Sequence, residues 1–461
     1  MVDARIAKEV IELGLSRGAD YVEIFSEHTT QNGVSIVNGD IKNLIYSEIY
    51  GAGIRIIAKG KTAYSYTNSL SKSKLIRLIK ILTSEISLGY FPISLPMSNN
   101  KIIEKKIFDN VTNAKRIKLI SDIYKSAKGF SNEINLAGVE YIDIEQDVFI
   151  CDSGGNFQYD NRPRTRCTVK VVASNEKDSQ TGIKTLGGST GYSYWNNVDC
   201  EGFGKDVAQT AINMLHASEC PYGTYPAVIE SGFGGVIFHE ACGHPLESDN
   251  AVKRYSEFSN KIGVRIAADC VTYIDDGRIR GGWGSSCIDD EGTATQHTVI
   301  IKNGILQRYL FDKSGAEKLG QKSTGNGRRQ NYTYIPSSRM TNTYIVGGTD
   351  DPDSLFKDIK EGLYVKNVGG GSANVITGEF NFSVTESYWI KDGKIGYPIR
   401  GASLIGKSSE VLMNIEKVAN NLELGQGMCV SKSGKLPVGI GQPRIKVSNI
   451  LIGGKKKRGK L

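Results

Sequence analysis

His239-Glu240-Ala241-Cys242-Gly243-His244 sets two imidazoles around a carboxylate, one residue wider than the H-E-x-x-H pattern of zinc proteases. The chain has five histidines, and two of them lie in these six positions. A metal-activated water needs neutral nitrogen or thiolate ligands and a nearby carboxylate to take its proton. The spacing has a geometric consequence. On a regular α-helix, residues five apart point about 140° away from each other, too far to share one ion. The helix must therefore bulge or end between His239 and His244. Gly243 is flexible, and Pro245 disfavours the α conformation at His244. A single π turn would realign the two faces. The alternative is a pair of core histidines near a helix end.

Outward from the motif, the 461 residues are too many for one ordinary core. The reading is α+β: an N-terminal mixed α/β region over 1–218, with a sub-boundary near 92–110, then a mostly antiparallel, β-rich metal-binding region over 219–461. Helical spacing covers residues 3–17, 71–88, 113–127 and 199–217, and a shorter helix is expected over 352–361. Short β runs are expected from Tyr21 to Tyr66. Turns are expected at Asn38-Gly39, Asp276-Gly277, Asn303-Gly304 and Asp392-Gly393. Regular β-α-β alternation is absent, which argues against a doubly wound sheet.

Composition narrows the function classes. Hydrophobic content of 39% and charged content of 23% are those of a water-soluble globular protein. No apolar run reaches the ~20 residues of a membrane span, and the N-terminus lacks a signal core, so a cytoplasmic location is expected. The eight cysteines form no C-x-x-C pair and read as reduced thiols. Net charge is +8, but Lys455, Lys456, Lys457, Arg458 and Lys460 supply five of those charges. The tail 455–461 is read as a solvated terminus, and nucleic acid is not an expected partner.

Several stretches resemble the TldD/PmbA family of metallopeptidases, also called modulator of DNA gyrase proteins. Early ones are Gly18-Ala19-Asp20-Tyr21, Gly51-Ala52-Gly53-Ile54-Arg55 and Lys61-Thr62-Ala63-Tyr64. Later ones are the His239–His244 motif, Asp289-Asp290-Glu291-Gly292-Thr293, Ser338-Arg339-Met340-Thr341-Asn342-Thr343, Thr377-Gly378-Glu379-Phe380, Gly427-Met428-Cys429 and Pro437-Val438-Gly439-Ile440-Gly441-Gln442-Pro443. The resemblance implies a zinc ion (Zn2+) held by His239, His244 and Cys429, with Glu240 as general base. It implies hydrolysis of unfolded or short peptides, and a dimer, with either a second copy or a PmbA/TldE-type paralogue. The intact motif is similar to the catalytic TldD type. Cys242 is the competing sulfur, expected to face elsewhere. Arg339, Asn342 and Glu291 are candidate substrate-binding residues. A non-catalytic scaffold subunit with a structural metal or none is the alternative function.

Other features read less sharply. The acidic run Asp289-Asp290-Glu291 fits either a cleft wall or a solvated turn. Arg328 and Arg329 read as a mobile surface loop, and Gly369-Gly370-Gly371 as a loop near a bound peptide. Gly401-Ala402-Ser403-Leu404-Ile405-Gly406-Lys407-Ser408 matches a P-loop letter for letter but reads as a strand-to-helix turn. His28, His216 and His297 are expected to be surface or core residues.

Overall fold

The computed structural model describes residues 1–85, 93–94 and 111–455. The sub-boundary placed near 92–110 falls outside the described residues apart from Ile93–Ser94, and so does the tail beyond Lys455.

Helix α1 (Ala4–Ser16) starts at Asp3, whose carboxylate accepts the free N–H groups of Arg5 and Ile6. Gly18, at φ +95°, turns the chain out of the helix. Strands β1 (Tyr21–Val37) and β2 (Asp40–Ala58) follow, joined at Asn38-Gly39 with φ of 49° and 92°. Then come β3 (Lys61–Thr67), α2 (Lys72–Glu85), α3 (Asn113–Lys128), β4 (Ile134–Asp152), β5 (Phe157–Ser174), β6 (Ser179–Gly188) and α4 (Cys200–Leu215). The sheet order is Ile93–Ser94, β3, β2, β1, β4, β5, β6. Short β runs were expected from Tyr21 on, yet β1 and β2 are 17 and 19 residues long. The polar middle of β1 does not end it, because β2 and β4 pair with it along almost its whole length.

The second half contains β7 (Gly223–Ile229), the motif segment, β8 (Tyr273–Asp276), β9 (His297–Lys302), β10 (Asn342–Ile345), β11 (Glu361–Ala373), β12 (Glu379–Lys391), β13 (Lys394–Arg400), β14 (Ser403–Lys407), β15 (Glu423–Ser431), β16 (Gly434–Gln442) and β17 (Ile445–Gly453). Strands β11, β7, β17, β14 and β12 pair in that order, and β12 pairs back onto β11 to close a ring. A six-stranded sheet runs Ile305–Leu306, β9, β8, β10, β16, β15. Its last strand, β15, is an edge. Most pairings are antiparallel, and the fold class is α+β, as the sequence suggested.

A turn follows Asp276 as expected, at Gly277-Arg278, although the partner of β8, strand β9, begins only at His297. Two local expectations need correction. The helix expected over 352–361 is one tight turn, Pro352–Phe356. Beyond it, Leu363, Tyr364 and Val365 are drawn into pairing with β7. Gly369-Gly370-Gly371 lies within β11, where a Cβ on Gly371 would come within 2.2 Å of the Phe382 ring. The P-loop match is the strand-to-helix turn that was expected: β14, hydrogen-bonded on both sides to β12 and β17, runs straight into the short helix Ser408–Met413. A phosphate-cradling loop needs free backbone N–H groups, and these are spent on the sheet.

The two halves meet over a bare patch on β2. Gly51 and Gly53 leave room for Tyr332, whose ring and carbonyl would lie 2.5 and 2.7 Å from Cβ atoms at those positions. Around it runs a buried chain of charges. Arg55 reaches Glu23 at 2.5 Å and Glu291 at 2.6 Å. Arg329 reaches Glu23 at 2.5 Å, and Arg162 reaches Asp290 at 2.5 Å. The acidic run is therefore neither cleft wall nor solvated turn, and Arg329 is no mobile loop residue. Each charge finds its partner far away in sequence.

Glu27 of β1 belongs to the same junction. It accepts the Tyr332 N–H at 2.6 Å and the Gln146 amide at 2.8 Å. Burial outweighs those bonds and pushes its carboxyl up to about 7, from an ordinary value of 4.5. Between those two values the folded chain holds a proton that the unfolded chain has lost. Folding stability from this site is thus complete below pH 4.5 and fades as pH rises through 7. Glu27→Gln does not titrate. Relative to that variant, the wild type should lose about 1.4 kcal/mol per pH unit at most between pH 5 and 7. Urea unfolding of both proteins across that range measures it; a constant gap would contradict the assignment.

Candidate metal centre

The motif enters through Gly232–Gly235, a tight turn on β16, where a Cβ on Gly235 would press within 2.6 Å of the Gly441 carbonyl. One short α turn, Val236–Phe238, follows. Residues His239–Gly243 then form a π turn, and the His244 N–H bonds to the carbonyl of His239. This i→i+5 bond is the realignment that the five-residue spacing demanded. A tight turn, His244–Leu246, follows; contrary to expectation, His244 stays in the α region, at φ −59° and ψ −43°, despite Pro245. Gly243 is required by packing: a Cβ there would lie 2.1 Å from the Met340 sulfur.

The two imidazole centroids are 5.2 Å apart with planes at 80°. Cys429 arrives on edge strand β15, its Sγ 3.0 Å from His244 Nε2. Glu240 Oε2 lies 3.7 Å from the same nitrogen. One ligand atom from each of His239, Glu240, His244 and Cys429 falls within 4.8 Å of every other. His239 and Cys429 are buried, whereas the Glu240 side chain keeps a third of its surface open to solvent.

The outer nitrogens are held from behind. His239 Nδ1 meets the Thr343 hydroxyl of β10 at 3.2 Å, and His244 Nδ1 meets Glu247 Oε2 at 3.1 Å. Both contacts leave the Nε2 atoms facing inward. His239 Nε2 is buried with no hydrogen-bond partner. A buried polar atom without a partner is costly, and a metal ion would satisfy it. Burial, then the charges of His244, Arg339 and Arg328, hold His239 far below the ordinary histidine range, so it is neutral. Burial also lowers His244, but Glu247 and Cys429 more than offset it and raise its pKa well above that range. The surroundings of His244 thus favour positive charge. The donor set of two imidazoles, one sulfur and an adjacent carboxylate fits a divalent cation of zinc type.

The remaining predicted residues lie elsewhere. Cys242 is wholly buried in the apolar core, where burial pushes its thiol far up. Glu291 sits in the charge chain at the junction. The Asn342 amide donates to the Asp276 carbonyl at 2.7 Å and accepts the Gly284 N–H at 2.9 Å. Arg339 is buried behind Cys429. None of the three presents a surface to a substrate. His28, His216 and His297 pair with Glu48, Glu133 and Asp276. Glu247 and Thr343 were not singled out in the sequence. Glu247 had a local signal, a carboxylate three residues after a ligand histidine; Thr343 had none.

Three family models match the chain: PmbA/TldA metallopeptidase domain 1 over residues 22–84, the central domain over 106–215, and the C-terminal domain over 222–454. A Metalloprotease TldD homolog of Haemophilus influenzae is 32% identical over 460 residues, covering 96% of this chain and 95% of the relative. Another, of Buchnera aphidicola, is 33% identical over 458 residues, covering 95% and 94%. The crystal structure of TldE from Thermococcus kodakarensis shares the fold at a TM-score of 0.78 and 19% identity, covering 97% of this chain and 100% of that one. The chain is a metallopeptidase-type protein in architecture and site. It belongs to the PmbA/TldD metallopeptidase family.

The close approach at Gly243 yields a prediction. Gly243→Ala forces the Met340 side chain aside and should cost about 1–3 kcal/mol. Adding Met340→Ala should recover part of that loss in thermal unfolding. An undiminished melting temperature in Gly243→Ala would show that the turn has slack.

Proposed function

We propose that the chain is a zinc-dependent peptidase that hydrolyses unfolded or short peptides. His239, His244 and Cys429 are its metal ligands and Glu240 its general base, within a catalytic region beginning after residue 218. The observation that carries this reading is the convergence of four donor groups from two distant elements, one of them His239, whose Nε2 has no hydrogen-bond partner. Zinc bound there supplies a Lewis acid and lowers the pKa of a water from 15.7 to roughly 7. Thr343 and Glu247 orient the imidazoles. Glu240 Oε2, open to solvent on one side, receives a proton from the attacking water and returns it to the leaving amine nitrogen.

Edge strand β15 supports the substrate class. It carries Cys429 and, beside it, exposed Val430 and Leu424. An extended peptide added along that edge bonds through its backbone, which tolerates varied sequences. Folded proteins cannot present such a strand. A scaffold role gives Glu240 no task, since a closed structural site needs no exposed carboxylate.

Glu240→Gln should keep about one equivalent of zinc and lose at least 100-fold in cleavage of an unstructured peptide. Cys429→Ser should lose the zinc itself, read by elemental analysis. Undiminished cleavage by zinc-loaded Glu240→Gln would remove the general base, and an unchanged zinc content in Cys429→Ser would remove the third ligand.

We propose further that the chain pairs, with a second copy or a TldE-type paralogue, and acts in the cytoplasm. Leu44 and Tyr46, exposed on the same face of β2, offer an apolar surface for the pairing. No helix among the described residues is long and apolar enough to cross a membrane. Sedimentation of this chain alone and with a TldE-type paralogue should show a dimer that Leu44→Glu weakens at least tenfold. A monomer under both conditions would refute the pairing.

A further inference from the structure

We infer that Arg339 is a positioning residue that braces two of the metal ligands from behind with one guanidinium group. The inference rests on the metal-site reading above and adds to it what fixes the separation of His244 and Cys429. These two residues sit on different elements, 185 positions apart, with 3.0 Å between Nε2 and Sγ. Something must hold the π-turn segment and strand β15 in that register before a metal arrives.

Arg339 spans both sides. Its Nη2 donates to the Cys429 carbonyl at 2.9 Å. Its Nη1 donates to the Ser433 hydroxyl at 3.0 Å and to the Gly434 carbonyl at 3.2 Å, so it grips the turn that ends β15. Its Nε lies 3.8 Å from Glu247 Oε1, and the other oxygen of Glu247 holds His244 Nδ1. Neither Arg339 Nε nor Glu247 Oε1 has a hydrogen bond of its own. The two face each other across a gap too long for a direct hydrogen bond. Arg339 is itself fixed, since its N–H donates to the Asn326 carbonyl at 2.8 Å and its carbonyl accepts the Asn326 amide at 3.0 Å. At 1% exposure it cannot reach a peptide.

A planar fork suits this task. Lysine offers a point charge and cannot reach Glu247, Cys429 and Ser433 at fixed angles. Groups behind metal ligands commonly change metal affinity by 10- to 100-fold when altered. Glu247→Gln tests the same brace from its other end, because it preserves shape and removes the charge that faces Arg339.

The test uses the full chain with Co2+ as a spectroscopic probe. Wild type should bind one equivalent and show a sulfur-to-cobalt absorption band, which Cys429→Ser abolishes. Arg339→Lys should weaken Co2+ at least tenfold and shift that band, with the circular dichroism unchanged. Glu247→Gln should weaken binding similarly, and the double variant should lose less than the sum of the two. Arg162→Met, which removes a buried junction arginine bonded to Asp160, Asp290 and the Ile288 carbonyl and to none of the four donor residues, should bind Co2+ as wild type does. If wild type gives no cysteine-dependent band, the metal-site reading itself fails. If the band is present and Arg339→Lys stays within twofold in affinity with the same spectrum, the brace is refuted. Should Arg339→Lys not fold, Glu247→Gln decides: wild-type affinity there refutes the inference.

Discussion

A single backbone hydrogen bond, from the N–H of His244 to the carbonyl of His239, governs the site. With the usual i→i+4 pattern, the two imidazoles would diverge by about 140° and no ion could be shared. Closing the ring one residue wider swings His244 onto the face of His239 and Glu240. The wider turn needs room on its inner side, which Gly243 provides by leaving space for Met340. It also needs to stop after one turn, and Pro245 ends it. Sequence, local geometry and chemistry are linked here within seven residues.

The rest of the second half is arranged to meet this turn. The six-stranded sheet sends Thr343 to one imidazole and Cys429 toward the other. The ordinary use of buried polar groups is mutual satisfaction. Here Thr343 and Glu247 satisfy only the outer nitrogens, and the inner ones converge on each other and on a sulfur. An arrangement that concentrates donors and carboxylates without a buried counter-cation in direct contact is costly unless a cation completes it. Arg339 and Arg328 reduce the cost from a distance, through carbonyls and Glu247, without occupying the centre.

The sequence disclosed this turn because its constraint is local: two histidines, a glycine and a proline at fixed spacing can be read without knowing the fold. The helices α1, α3 and α4 were legible for the same reason, since Asp3, Thr112 and Asp199 cap them within three residues. Cys429 was reached through family resemblance alone, since nothing local marks a cysteine 185 residues away as a ligand. The misread segments share one property. Asp290, Glu291 and Arg329 look like solvated charges in any short window, yet they pair with Arg162, Arg55 and Glu23 in the other half of the chain. Gly369-Gly370-Gly371 looks like a loop until Phe382 is seen lying against it. Long-range pairing overrides local preference, and a single sequence carries no register for it.

That distribution of charge decides which side chains around the centre are already committed. The deepest ion pairs lie buried at the junction of the halves, while the Glu240 side chain keeps a third of its surface open. The candidate residues that could have read a substrate's side chains, Arg339, Asn342 and Glu291, are committed to internal bonds. What is left beside the centre is the edge strand β15, on which Leu424 and Val430 are exposed. On the peptidase proposed above, such an edge would select by extension and access, because backbone groups are common to all peptides. Selection would then fall to whatever limits entry to that edge, a task the proposed second subunit would perform.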